Sequence, residues 1–283
     1  MNYGLPYRGS KNKIAKDIID CLPVGEVFVD LFCGGCAVTH AAMLSGKYKR
    51  FIINDTIAMI PNAFLDAING KFKDEKRLIS REDFKRLKDT DVYARLCWSF
   101  GNNGRSYLWG YENAQVKMLA CNMIMADDWR ERRKLYVELI NLLQQPPTLL
   151  NTLKLGPLEA LERLVGIGEI QYNQQENLEV FTGDYQDVPI PENAVVYCDP
   201  PYKTTEGYSK KNRMSFDYER FYNWLRTRAF PVYVSEYTMP DDFVCLWEKE
   251  KTCGMSKDNN SKKTVEKLFV HEKFKEAVKD ELL

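Results

Sequence analysis

The residues best suited to chemistry are Asp199-Pro200-Pro201-Tyr202, which directly follow the apolar run Ala194-Val195-Val196-Tyr197-Cys198. That run predicts a short buried strand. The four residues are therefore delivered to the carboxyl end of a strand, where open α/β sheets bind their ligands. The prolines fix two φ angles and remove two N–H donors, leaving carbonyls without competing donors. Asp199 adds a carboxylate acceptor and Tyr202 a flat aromatic face. Two acceptors beside a stacking surface suit a planar molecule with an amino group, such as adenine or cytosine. A strand that simply ends in a proline turn would explain Pro-Pro alone, but not the Asp before it and the Tyr after it.

Three more strand ends carry the same kind of residue. Glu26-Val27-Phe28-Val29-Asp30-Leu31-Phe32 reads as a strand from its β-branched and aromatic content. It breaks at Cys33-Gly34-Gly35, and Ala37, Ala41, Ala42 and Leu44 then predict a helix. Strand, glycine turn and helix together form a nucleotide-binding βα unit, in which the glycines let backbone approach a ligand. The turn is not G-x-G-x-x-G, so no pyrophosphate is implied. Arg50 to Asp55 predicts the next parallel strand, and an acid at its end can accept hydrogen bonds from ribose hydroxyls. Asp55 could equally cap a helix through Ile57 to Ile60. Leu178 to Thr182 predicts a strand followed by Gly183-Asp184-Tyr185. Asp30, Asp55, Asp184 and Asp199 would all lie on one edge of a parallel sheet.

The remaining elements supply the frame. Ile14, Ile18, Ile19 and Leu22 predict an amphipathic helix, with Ser10 as a candidate cap. Phe216 to Phe230 predicts a helix and Val232 to Glu236 a strand. Phe243 to Trp247 and Lys267 to Val270 predict a closing antiparallel pair, with a polar loop at 257–263 between them. A doubly wound α/β domain over 1–62 and 175–283 follows, interrupted by an insert over 63–174. In the insert, Lys71 to Leu96 is charged and helical in pattern. Cys97 to Trp109 predicts a hairpin or loop displaying Asn102, Asn103 and Arg105, side-chain types that can read base edges. Arg130 to Lys134 is a helical basic run, either a solvated face or a phosphate contact. Leu158, Leu161 and Leu164 predict a packed element, and the insert ends near Gln174. The basic, glycine-containing loop Lys203 to Arg213, with Lys210 and Lys211, is placed to close over a phosphate-bearing substrate.

Composition sets limits on partners. The chain has 283 residues with 45% hydrophobic content, enough for one large domain or two small ones. Its 40 basic and 40 acidic side chains balance, so any polyanion site must be a local patch. The opening Met1 to Pro6 lacks a basic stretch followed by an apolar core, so a secretory leader is not expected. No apolar run approaches the roughly 20 residues that span a bilayer. A soluble, reduced, cytoplasmic protein is expected. Cys33-Gly34-Gly35-Cys36 has the C-x-x-C spacing of redox and zinc sites. No second such pair occurs and there are 2 histidines, so a zinc site is short of ligands and no metal is expected.

Five motifs taken in order resemble the Dam-like family of DNA adenine-N6 methyltransferases: Tyr7-Arg8-Gly9-Ser10-Lys11, Asp30-Leu31-Phe32-Cys33-Gly34-Gly35, Asn54-Asp55, Gly183-Asp184-Tyr185 and Asp199-Pro200-Pro201-Tyr202. The resemblance implies a Rossmann-like methyltransferase sheet with helices on both faces and a mainly helical target-recognition insert. It implies S-adenosylmethionine as methyl donor, S-adenosylhomocysteine as product, duplex DNA as partner and a monomer in solution. Tyr7 would pack near the adenosine, and Phe32 and Gly34 would shape the turn beneath the methionine part. Asp30 would face the ammonium, Asp55 the ribose hydroxyls and Asp184 the adenine edge, while Lys11 matches a family lysine close to donor and active site. Asp199, Pro200 and Tyr202 would act on a flipped adenine, with Asn102, Asn103, Arg105, Lys203, Lys210 and Lys211 on the DNA. Cys36 departs from the small residue usual after the glycines. The stretch Cys97 to Trp109 does not match the hairpin of GATC-specific members, which leaves the target sequence open. Rival readings are a methyltransferase of the same fold acting on RNA or on protein glutamine, a catalytically silent DNA-binding relative, and a redox protein built on Cys33 and Cys36.

Overall fold

The computed structural model describes residues 2–143, 156–169, 177–202, 216–253 and 262–281. The chain divides into two compact units, one formed by Met1–Gly4, Lys11–Asn62 and Tyr172–Leu283, the other by Leu5–Ser10 and Ala63–Gln171.

The first unit is built on a seven-stranded sheet, ordered β3-β2-β1-β4-β5-β7-β6, with helices on both sides. Its strands are β1 (Val27–Asp30), β2 (Arg50–Asp55), β3 (Leu178–Thr182), β4 (Ala194–Cys198), β5 (Val232–Glu236), β6 (Phe243–Cys253) and β7 (Lys262–His271). The first five pair in parallel, and β7 runs antiparallel between β5 and β6. All four residues of β1 and all five of β5 are buried. Strands covered on both faces read as continuous apolar runs rather than alternations, which is why the sequence marks them so clearly. The order reverses between β1 and β4, which lie side by side with Asp30 opposite Tyr197. Such a switch point opens a crevice at the carboxyl ends of the strands.

Helices α1 (Ala15–Asp20), α2 (Ala37–Ser45) and α9 (Tyr218–Thr227) belong to this unit, as does the short α10 (Lys275–Glu281). The buried face of α9, Phe221, Tyr222, Trp224 and Leu225, packs with Val29, Val196 and Val234 in the core. Asp217 caps α9 by accepting from the Arg220 N–H, so the helix begins later than Phe216. In α1 the expected apolar residues are buried, but Ser10 does not cap it. The helix starts at Ala15 behind Ile14, which makes no side-chain cap, and Ser10 instead closes a turn by donating its N–H to the Tyr7 carbonyl at 3.2 Å.

The second unit is helical. Its elements include α4 (Arg81–Leu87), α5 (Val92–Cys97), α6 (Tyr111–Met125), α7 (Trp129–Leu143) and α8 (Gly156–Glu169). The unit boundary at Ala63 falls within α3 (Met59–Ile68). Ser80 and Asp91 cap α4 and α5, and Phe84, Tyr93, Leu96, Trp98, Leu139 and Leu164 are buried. Lys71 to Leu96 holds less helix than its pattern predicts. Much of the charge pairs locally instead, as Lys71 does with Asp66 at 2.7 Å and Arg77 with both Glu75 and Asp91. The expected end of the insert at Gln174 lies outside the described residues, as does most of the loop 257–263. Lys262 and Lys263 belong to β7.

Candidate active site

The carboxyl edge of the sheet is fixed by backbone bonds. The Leu31 N–H donates to the Tyr197 carbonyl at 3.1 Å, and the Cys33 N–H to the Asn54 carbonyl at 2.9 Å. The Asn54 side-chain amide donates to the carbonyls of Leu31 and Gly183, tying together the loops after β1 and β3. The strand order then sets the four carboxylates along the edge as Asp184, Asp55, Asp30 and Asp199.

Asp30 is buried. Its Oδ2 accepts from the Thr39 hydroxyl at 2.8 Å, while Oδ1 has no hydrogen-bond partner among the described residues. Burial pushes its carboxyl up to about 7, with the Thr39 hydroxyl pulling the other way and the charge on Asp199 adding to the rise. Asp55 does not cap the helix expected after it, because α3 begins only at Met59; it closes the preceding turn instead, Oδ2 accepting from the Gly34 N–H at 3.0 Å and Oδ1 from the Ile57 N–H at 2.8 Å. Each carboxylate oxygen keeps a further lone pair for a ligand. Asp184 caps the turn at Tyr185–Asp187 and receives Arg220 at 2.6 Å. The Gln186 N–H and the Arg220 guanidinium outweigh its partial burial and hold its carboxyl below the usual range.

The turn after β1 is tightly packed. Gly34 lies at φ 45° and Cys36 at φ 55°, the left-handed region where a non-glycine residue is strained. Gly4, at φ +64°, covers the turn: a Cβ there would meet the Gly35 carbonyl oxygen at 2.3 Å and the Ala37 nitrogen at 2.6 Å. The Gly4 N–H donates to Nδ1 of the buried His40 at 2.9 Å. Phe32 packs against Tyr185, Phe216 and Phe221, with ring centroids 5.2 to 5.6 Å apart.

Asp199 is gripped by Lys11. The ammonium donates to both carboxylate oxygens, at 2.7 and 2.9 Å, and lies 4.4 Å from the centre of the Tyr202 ring. Burial and the nearby Glu266 raise the Asp199 carboxyl, and Lys11 opposes them. Tyr202 donates its hydroxyl to Glu266 Oε2 at 2.7 Å and meets Tyr237 edge-on at 4.5 Å. Pro200 is buried, and the Pro201 carbonyl accepts the Tyr218 hydroxyl at 2.7 Å. A carboxylate, a rigid proline pair and an oriented aromatic ring are thus held together at the switch point, an arrangement able to bind and orient a planar amine.

Other expected residues have different settings. Tyr7 belongs to the second unit. In the loop there, Asn102 donates to the Leu96 carbonyl, and Asn103 Oδ1 accepts the N–H groups of Arg105 and Ser106. Asn102 thus ties the loop to the end of α5, Asn103 closes the loop's own turn, and Arg105 is exposed. The predicted hairpin reduces to one antiparallel bridge between Ser99 and Tyr107. Lys203, Lys210 and Lys211 lie outside the described residues. Among those described, no group of three or more His, Cys, Asp or Glu side chains could hold a metal ion. No helix there is long and apolar enough to cross a membrane. Sequence reasoning passed over Glu236 and Glu266, both buried. Glu236 obeys the same strand-end rule as the four aspartates. Glu266 was missed because the apolar signal of β7 begins at Leu268.

A parallel sheet with one antiparallel strand near its edge, and an acidic residue at each successive strand end, defines a Rossmann-like methyltransferase fold. Residues 7–115 match the family model of the D12 class N6 adenine-specific DNA methyltransferase, in agreement with the Dam-like resemblance of the motifs. The chain is therefore similar to a family of enzymes that methylate adenine in DNA. The matched stretch holds Lys11, the glycine turn and Asp55, whereas Asp184 and Asp199 to Tyr202 follow it. No curated protein matches the chain.

Proposed function

We propose that the chain transfers the methyl group of S-adenosylmethionine to the exocyclic amine of an adenine flipped out of duplex DNA. The observation that carries the reading is the position of Asp199, Pro200 and Tyr202 at the switch point, one strand away from Asp30. The donor has an ammonium, a ribose diol and an adenine, and residues on this edge suit each. The unpartnered Asp30 Oδ1 suits the ammonium, the remaining lone pairs of Asp55 suit the diol, and Asp184 beside Arg220 suits the adenine edge. Phe32 and Gly34 shape the turn beneath. The assignment of Tyr7 to the adenosine rests on the resemblance alone.

The donor, when bound, supplies a methyl group activated by its sulfonium. The amine of adenine is a poor nucleophile because its lone pair is delocalised into the ring. Hydrogen bonds from that amine to Asp199 and to the Pro200 carbonyl favour a pyramidal nitrogen whose lone pair is free to attack, and Tyr202 offers its face to the base. Lys11 now engages both oxygens of Asp199 and sits over the Tyr202 ring, so entry of the target moves its ammonium aside. Positioning and fixed dipoles, with no covalent enzyme intermediate, supply the rate enhancement. On the DNA side the proposal assigns Asn102, Asn103 and Arg105 from the insert, together with Lys203, Lys210 and Lys211.

The test is incubation of DNA with labelled S-adenosylmethionine, followed by nucleoside analysis. Label in N6-methyladenine is expected. Label confined to RNA or to protein glutamine overturns the DNA reading in favour of those substrates.

A further inference from the structure

We propose that Glu266, on β7, is a positioning residue for methyl transfer, fixing the Tyr202 ring through its hydroxyl and giving Lys11 a second carboxylate. The inference rests on the adenine-methylation reading above and extends it to a residue outside all five motifs.

Glu266 is 3% exposed. Along β7 it shares a face with Leu268 and Val270, both buried and apolar. A buried carboxylate is costly unless charge and hydrogen bonds offset it. Two of its partners belong to the site. Oε2 accepts the Tyr202 hydroxyl at 2.7 Å and lies 3.9 Å from the Lys11 ammonium.

Two consequences follow from this geometry. First, Tyr202 is held at its hydroxyl by Glu266 and along its ring by the edge-on contact with Tyr237, at an interplanar angle of 80°. The aromatic face offered to a base is therefore set before any base arrives. Second, Lys11 stands between two carboxylates, bonded to Asp199 and within ion-pair range of Glu266. When a target amine takes the oxygens of Asp199, the ammonium keeps Glu266 as a counter-charge and is not left buried and unpaired. Without that second carboxylate, Lys11 stays on Asp199 and competes with the target.

The test compares wild type, Glu266→Gln and Glu266→Asp in single-turnover methyl transfer to DNA as a function of pH, with donor affinity measured by calorimetry. Asp199 is faced by Lys11 from the N-terminal segment, Tyr197 and Tyr202 from β4 and its end, Glu266 from β7 and Asp30 from β1. The Gln variant keeps an acceptor for the tyrosine but loses the charge. It should bind donor as wild type does, transfer methyl on the order of 10- to 100-fold more slowly, and show its acid limb at lower pH, because a charge that raises Asp199 is gone. Glu266→Asp should restore the position of that limb. A Gln variant with wild-type rate and profile overturns the inference, as does one that is slower with an unmoved limb. Should the Gln variant not fold, Tyr202→Phe removes the hydroxyl contact alone, and a wild-type rate there overturns the positioning role. A wild-type chain that methylates no DNA overturns the underlying reading, and the inference falls with it.

Discussion

Lys11 and Asp199 form an ion pair at the candidate site, 2.7 Å apart across 188 residues of chain, with side chains 6% and 21% exposed. Removing the cation leaves Asp199 facing the Glu266 carboxylate without its ammonium, and burial and that neighbouring charge then drive the Asp199 carboxyl further upward. Lys11→Ala should cost on the order of 3 kcal/mol of stability near neutral pH, toward the low end for a buried pair because Asp199 is partly accessible. The cost should shrink as pH falls and Asp199 takes up a proton. Urea melts of wild type and variant on both sides of neutrality check this; a pH-independent loss would mean that packing of the lysine stem, not charge, dominates.

Asp30 carries the opposite kind of linkage. Burial raises its carboxyl from 3.8 to about 7, so between those values the native state holds the proton more tightly than the unfolded chain does. Stability from this group is fully present at low pH and is lost as pH rises through about 7, by roughly 4 kcal/mol in all. Asp30→Asn should flatten that decline, which melts near about pH 5 and about pH 8 would reveal. A bound ammonium favours the carboxylate, so donor binding to wild type below neutrality should release a proton, and the variant should not. Calorimetry in buffers of different ionisation heat reads the difference, and equal proton release by both proteins would sink the assignment.

Much of this edge was legible in the sequence. The strands ending in Asp30, Asp55 and Cys198 are continuous apolar runs because both of their faces are covered. Their carboxylates could be ranked together before any fold was known. Partners far along the chain were not legible: Arg220 on Asp184 and Lys11 on Asp199 are set by strand order, to which no local pattern points. Within the helical insert, only the stretch Lys71 to Leu96 holds less helix than its pattern predicts, because charge density resembles a solvated helix face even where no apolar period supports one. The asparagines of the loop at 97–109 were chosen for chemistry that can read bases, yet the same chemistry bonds nearby backbone.

Gly4 was not singled out at all, although the glycine turn depends on it. Its φ of +64° and the 2.3 Å approach of a hypothetical Cβ to the Gly35 carbonyl leave no room for a side chain. Gly4→Ala combines left-handed strain with a clash against backbone, which cannot rotate away. A loss of about 2 kcal/mol or more is expected, together with weaker donor binding as the turn shifts. Thermal melting and calorimetry test the pair of effects. An unchanged melting point would show that Met1–Gly4 does not pack on the turn in solution.

Cys33 and Cys36 decide between a dithiol function and a packing one. Both are buried, and burial raises both thiols, Cys33 well above the usual range. A thiolate is the reactive form, so neither sulfur is activated for exchange. Cys245 is exposed and should be alkylated before Cys33 and Cys36 under mildly alkaline conditions, with those two protected until the fold opens. Position 36 lies at φ 55°, so glycine is the substitution that its backbone accepts best, while alanine keeps the strain. The Cys33→Ala, Cys36→Gly double variant should therefore transfer methyl groups within about threefold of wild type, since the relief of left-handed strain, about 1 kcal/mol, offsets part of the lost burial. Mass spectrometry of the alkylated protein and a single-turnover assay settle it: early labelling of Cys33, or loss of transfer in a folded double variant, would give the pair a chemical role.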